Sequence, residues 1–126
     1  MRKYILIVAV LSLGFMAFTT PPKQNIENKM TITQDEIVIE GVGVVKTIET
    51  TGNETIRIEG TKNKITIVGA CNAITIEGVD NVVTVDDVKK VTIEGTGNKV
   101  TYKKSSAAEG KLKSAVSGVN NKIIKQ

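Results

Sequence analysis

The sequence predicts an all-β protein, a short parallel β-helix or β-solenoid built from half-coils of about nine residues. Three observations predict it. A phrase of the form Ile-Thr-Ile-Glu-Gly-x-x-Asn-x recurs with units beginning at Ile56, Ile65, Ile74, Val83, Val91 and Val100, spaced by 9, 9, 9, 8 and 9 residues. Short tandem periods of this kind are the mark of stacked coils. Each unit opens on an alternating triplet such as Ile65-Thr66-Ile67. That alternation sends the branched aliphatics to one face of a strand and the Thr to the other. Finally, beyond residue 19 the only aromatic residue is Tyr102. An ordinary globular core leans on aromatic rings, whereas layers of stacked Ile and Val do not need them. An antiparallel β-sandwich is the alternative, since short strands at this spacing also suit one. Hairpins reverse direction, however, and would not lay like residues on like residues.

The elements follow in order. Residues 1–19 read as a signal peptide: Met1-Arg2-Lys3 is a basic start, residues 4–18 are uncharged and apolar, and Pro21-Pro22 follows. Cleavage is expected near Thr19 or Thr20. No Cys follows the run at once, which argues against a lipid anchor, and the run is shorter than the ~20 residues of a membrane span. No membrane span is therefore expected after cleavage. Residues 20–36 are expected to be a linker. Residues 37–126 form the solenoid domain, entered at Ile37-Val38-Ile39-Glu40-Gly41, with an insertion over 105–117 rich in Ser, Ala and Lys. A last half-coil is expected at Gly118-Val119-Asn120-Asn121-Lys122-Ile123.

Within each unit, nine being odd, one residue must turn a corner, and Gly60, Gly69, Gly78 and Gly95 stand at that place. Asp87 replaces Gly in the eight-residue unit, so an irregular corner is expected there. Thr61, Ala70, Val79, Val88 and Thr96 follow as expected inward corner residues. Asn63, Asn72, Asn81 and Asn98 come two positions later, suited to bonding backbone groups that a bend leaves unpaired. Two units are expected to make one coil, with rungs about 4.8 Å apart.

Composition narrows the chemistry. The chain has no His, which removes Ser-His-Asp triads, Cys-His dyads and His-based metal sites. Its one Cys, Cys71, permits no internal disulfide. Cys71 shares its repeat position with Lys62, Asp80, Gly97 and Asn120, which leaves two readings: a tolerated small residue with no role, or a free thiol on a turn, open to an intermolecular disulfide. No catalytic residue and no cofactor is expected. Glu40, Glu59, Glu77 and Glu94 are expected to line one edge a coil apart. Carboxylates so close repel unless bridged, which makes them weak candidates for a cation such as Ca²⁺. The neighbours of the Thr columns are Lys64, Ala73, Val82 and Lys99, not a second Thr column, so an ice-binding array is not expected.

Charge is divided along the chain. Residues 20–88 carry 6 Lys/Arg and 11 Asp/Glu, while residues 89–126 carry 9 Lys and 2 Glu. In a solenoid this is a polarity along the axis. It implies docking on an anionic envelope component or self-association, or charged ends that resist strand pairing. Nucleic acid is not expected, because the basic part has neither Arg nor interleaved aromatics.

The runs Ile74-Thr75-Ile76-Glu77-Gly78-Val79-Asp80-Asn81 and Val91-Thr92-Ile93-Glu94-Gly95-Thr96-Gly97-Asn98 resemble the bacterial family of domains of unknown function numbered 3060. The resemblance extends over residues 45–125. It implies a small exported bacterial protein without an assigned activity and supplies no catalytic residues. The expectation is an exported, non-enzymatic structural or interaction module of the bacterial envelope. A module binding an ion or ligand through the Glu ladder is the alternative.

Overall fold

The structure, a computed structural model, describes residues 28–32 and 35–126. The expected signal segment lies outside them. The strands are β1 (Lys29–Ile32), β2 (Glu36–Val42), β3 (Val45–Glu49), β4 (Thr55–Thr61), β5 (Lys64–Val79), β6 (Val82–Thr96), β7 (Lys99–Lys104), β8 (Lys113–Val119) and β9 (Lys122–Lys125). A 3-10 turn spans Ala108–Gly110. Every pairing is parallel except β1 on β2. The chain is therefore the solenoid and not the sandwich.

Two faces are stacked rung on rung. The first consists of β2, β4, residues 73–79 of β5, residues 90–96 of β6, and β8. The second consists of β3, residues 64–68 of β5, residues 82–87 of β6, β7 and β9. Alternation within each rung and identity between rungs dictate the core. Ile37, Ile56, Ile74 and Val91 form one inward column, and Ile39, Ile58, Ile76 and Ile93 a second. Across from them lie Ile65, Val83 and Val100, and then Ile48, Ile67 and Val85. All of these are buried. Burying each such side chain stabilises by roughly 1.5–3 kcal/mol relative to exposure.

The stack degrades toward its ends. β1 covers the outer edge of the first face at the amino-terminal end. At the other end Ser114 and Val116 continue the first face's inward columns, and Val116 is 50% exposed. On the second face the inward columns begin with Lys46, in register with Ile65, and finish with Lys125, in register with Tyr102.

The two bends of each coil are built differently. The first, from first face to second, carries a Gly at 41, 60, 78, 95 and 118, in register from rung to rung. Gly78 shows why: its φ is 147°, and a Cβ there would collide with the carbonyl oxygen of Gly60. A left-handed residue follows at Gly43, Lys62, Asp80, Gly97 and Asn120. Next come Asn63, Asn81, Asn98 and Asn121, which form a ladder. The Oδ1 of each accepts from the backbone N–H one rung earlier: Asn63 from Val44 at 2.9 Å, Asn81 from Asn63, Asn98 from Asn81 and Asn121 from Asn98, each at 3.0 Å. Each Nδ2 donates to the Gly carbonyl of the earlier rung: Gly41, Gly60, Gly78 and Gly95, at 2.9–3.1 Å. Buried polar groups at the bend are thereby satisfied.

The second bend has no such rule. Its inward residues are Cys71 and Val88, which pair in register and are buried. The expected inward residues Thr61, Val79 and Thr96 lie instead on the outer side of the first bend, half-buried or exposed. Asn72 falls on the second bend, is exposed, and is no part of the Asn ladder. The nine-residue period is an average over two unlike half-coils, which is why it misplaced these residues. The anticipated irregularity is present: register shifts between Ile67 and Ala70, and Asp87 faces Ala70. The Asp86 carboxylate accepts the Gly69 N–H at 2.9 Å, doing the work of a missing peptide carbonyl.

Strand β1 lies within the segment expected as a linker, and β8 reclaims residues 113–117 from the expected insertion. Ser114 and Val116 sit in inward columns without resembling the Ile-Thr-Ile phrase, so sequence alone hides that rung.

Candidate functional site

The outer side of the first face carries the expected Glu ladder. Glu40, Glu59, Glu77 and Glu94 are in register on four consecutive rungs. At the Glu59–Glu77 step their mutual repulsion is relieved from within the chain. Arg57, in the adjacent outward column, places Nε 2.6 Å from Glu59 Oε1, off the direction of a hydrogen bond. Its Nη2 donates to Glu77 Oε1 and Oε2 at 3.2 and 3.3 Å. The bond to Glu77, with the charge of Glu59 close by, raises the guanidinium pKa above its ordinary value. The groups are 31–40% exposed, so solvent screens both pairs and they add little to stability. A guanidinium thus stands at the Glu59–Glu77 step of the weak candidates for a cation site. Among the described residues no group of three or more Cys, Asp or Glu is arranged to hold a metal ion.

Cys71 corrects another expectation. It is not an exposed thiol on a turn but a core residue, 1% exposed. Burial, with the charges of Glu54 and Asp87 adding to it, pushes the thiol pKa up to about 12. A thiol so protonated and enclosed is a small apolar filler and not a nucleophile. The sequence misled because Cys71 was aligned with first-bend residues, whereas it belongs to the second bend beside Val88.

The second bend also holds most of the unusual polar contacts. Asp86 is held below the ordinary carboxylate range, first by the Gly69 N–H and then by Lys103, whose Nζ lies 3.1 Å away. Asp87 accepts from the backbone N–H of Ser106 at 2.8 Å and from its hydroxyl. These bonds fold residues 105–112 over the bend. Between that segment and the coils lies a concavity of about 250 Å³, lined by Asn72, Lys89, Lys90, Ala107, Ala108 and Lys113. In the first coil the same bend is a tight loop between β3 and β4. There Glu54 accepts from the N–H groups of Thr51 and Gly52 at 3.0–3.1 Å and from the Thr51 hydroxyl at 2.9 Å. Burial alone would raise the Glu54 pKa, but these bonds lower it to about 2.

The Thr columns stand as expected. Thr47, Thr66, Thr84 and Thr101 share one column on the second face, and Thr75 and Thr92 share one on the first. Sequence reading overlooked Arg57 and the lysines of the concavity. Arg57 could have been found as the single Arg beyond Arg2, two residues before a ladder Glu. Lys113 could not, because the chain between the last two rungs of the first face is longer than the repeat and hides its alignment with Lys90.

Fold and surface together define a short stack of parallel rungs with charged outer columns: a β-solenoid repeat protein. Residues 58–110 match the family described as protein of unknown function, DUF3060, and this repeat segment belongs to that family. No curated protein and no solved structure matches the chain.

Proposed function

We propose that this protein is an exported, non-enzymatic contact module of the bacterial envelope, which docks through its carboxy-terminal coils on an anionic component. The observation that carries this reading is the order of charge along the axis. One outward column of the first face runs Glu36, Thr55, Ala73, Lys90, Lys113 from the first rung to the last. An anionic surface is attracted to one end of such a rod and repelled by the other, which orients it on approach. The basic start and apolar run of residues 1–18 support export. Absence of His from the sequence supports a non-enzymatic role. Head-to-tail self-association is the weaker partner reading, because it would set Lys46 against Ile123 and Lys125 against Ile48 at inward register positions.

The test is retention of the purified chain on isolated envelope fractions. Binding at low salt that is lost as ionic strength rises supports the proposal. No retention, or retention indifferent to salt, removes it. The ion-binding alternative requires calcium to raise Tm relative to chelator, and the Arg57 bridge across Glu59 and Glu77 disfavours it.

A further inference from the structure

We infer that the concavity at the second bend is an oxyanion site that takes a phosphate group. Lys90 and Lys113 occupy the same outward column on neighbouring rungs. Rungs are about 4.8 Å apart, and like charges set opposite one another in a sheet are destabilising. Lys89 adds a third ammonium on the same wall, and Ala107 and Ala108 of the folded-over segment close the far side. The Glu ladder shows how this chain handles stacked like charges when it neutralises them itself, by setting Arg57 between Glu59 and Glu77. Nothing equivalent is done for the lysines. Two carboxylates of the bend are engaged elsewhere, Asp86 by Gly69 and Lys103 and Asp87 by Ser106, and Glu109, exposed on the folded-over segment, forms no ion pair with the lysines. Among the described residues Lys89, Lys90 and Lys113 form no ion pair.

The missing counter-charge is an anion, and the donors indicate its type. Three ammonium groups are point charges with three rotatable N–H donors each, which suits the several oxygens of a phosphate. A planar carboxylate would favour the fork of an Arg, and the basic coils contain none. A volume of about 250 Å³ admits the phosphate and the first atoms of whatever carries it. Stacked lysines alone do not make such a site. Lys99 and Lys122 are likewise in register on neighbouring rungs of the second face, but neither lines the concavity. They provide an internal control.

The experiment is a titration of the full chain with inorganic phosphate at constant ionic strength, followed by backbone amide resonances. Saturable shifts are expected at Lys89, Lys90, Ala107, Ala108 and Lys113. The double variant Lys90→Gln/Lys113→Gln should weaken binding about tenfold or more through loss of two charge-assisted contacts, while Lys99→Gln/Lys122→Gln leaves it unchanged. All four lysines are exposed, and circular dichroism will verify that both variants fold. Shifts that fail to saturate, or equal weakening by the two double variants, overturn the inference, since either means diffuse surface charge. Two further arms identify the source of the phosphate. Saturation by glycerol phosphate without co-sedimentation on phosphatidic acid vesicles indicates a soluble phosphoester. Co-sedimentation lost in Lys90→Gln/Lys113→Gln indicates a lipid headgroup. The inference deepens the contact-module reading and rests on it for its biological setting, but the titration measures the pocket alone. Envelope retention without a saturable phosphate titration fails the pocket, whereas phosphate binding without envelope retention fails the module.

Discussion

The two bends of this solenoid do the same topological job by opposite means. From the first face to the second the inward columns are always nine residues apart: Ile37 to Lys46, Ile56 to Ile65, Ile74 to Val83, Val91 to Val100, Ser114 to Ile123. On the return the separations are 10, 9, 8 and 14, from Lys46 to Ile56, Ile65 to Ile74, Val83 to Val91 and Val100 to Ser114. The invariant bend is held by a Gly whose Cβ would strike the rung before it and by an Asn bonded to that same rung. Changing its length would break both columns at once. The variable bend is held by contacts that differ each time: Glu54 on Thr51 and Gly52 within its own rung, Asp86 on Gly69 one rung earlier and Asp87 on Ser106 after it. One device is repeated on every rung at the first bend, whereas each rung has its own at the second. Every feature proposed as functional lies at, or is displaced by, the variable one.

The sharpest way to break this comparison is to exchange nothing but an Asn. Asn98→Ala removes the acceptor of the Asn81 N–H and the donor to Gly78, and leaves buried backbone groups unpaired. It should cost about 2–4 kcal/mol, read as a fall in Tm. Asn72→Ala on the other bend should stay within about 0.5 kcal/mol, as surface changes do. Equal effects would mean that the ladder is ornamental.

A smaller effect is expected from Glu54→Gln, about 1 kcal/mol at neutral pH, because exposed charge-assisted bonds are screened. Its pH dependence sharpens the point. Glu54 has a folded pKa lowered from 4.5 to about 2. Its contribution is therefore present above pH 4.5 and is lost as pH falls toward 2. The Tm difference between the parent and Glu54→Gln should close across that window, and a difference constant with pH would contradict the assignment.

The last change, bounded only from above, is Cys71→Val. Val88 already fills the equivalent place one rung on, so the change should stay under about 1.5 kcal/mol. Thiol labelling of the parent should proceed only as fast as the fold opens, and prompt labelling of the native state would show that Cys71 is accessible.

Most of the fold was legible because a solenoid writes its register into the sequence. The phrases beginning at Ile37, Ile56, Ile74 and Val91, and at Ile65, Val83 and Val100, fall on their rungs as expected. The Glu ladder followed from the same register. What the period concealed was the difference between alternate units. Averaging the bends put Cys71 and Asn72 among residues of the wrong bend, and made Thr61, Val79 and Thr96 look inward. The last rung was hidden because an end coil has little to bury. Ser114 can stand in an inward column there without penalty, and the residues that betray a strand elsewhere are not needed. The concavity was invisible for a further reason: it depends on Asp87 reaching Ser106 across 19 positions of chain, a contact no local pattern records.

Lys46 and Lys125 carry a consequence for the molecule in quantity. A stack of parallel rungs is geometrically a fragment of a fibre, and each terminal rung is a template for the next molecule. On the second face both templates present an ammonium where an aliphatic side chain would be required. Adding a monomer would strip water from that charge with no counter-ion waiting, so growth is discouraged at its first step and the chain can be made at high concentration without seeding filaments.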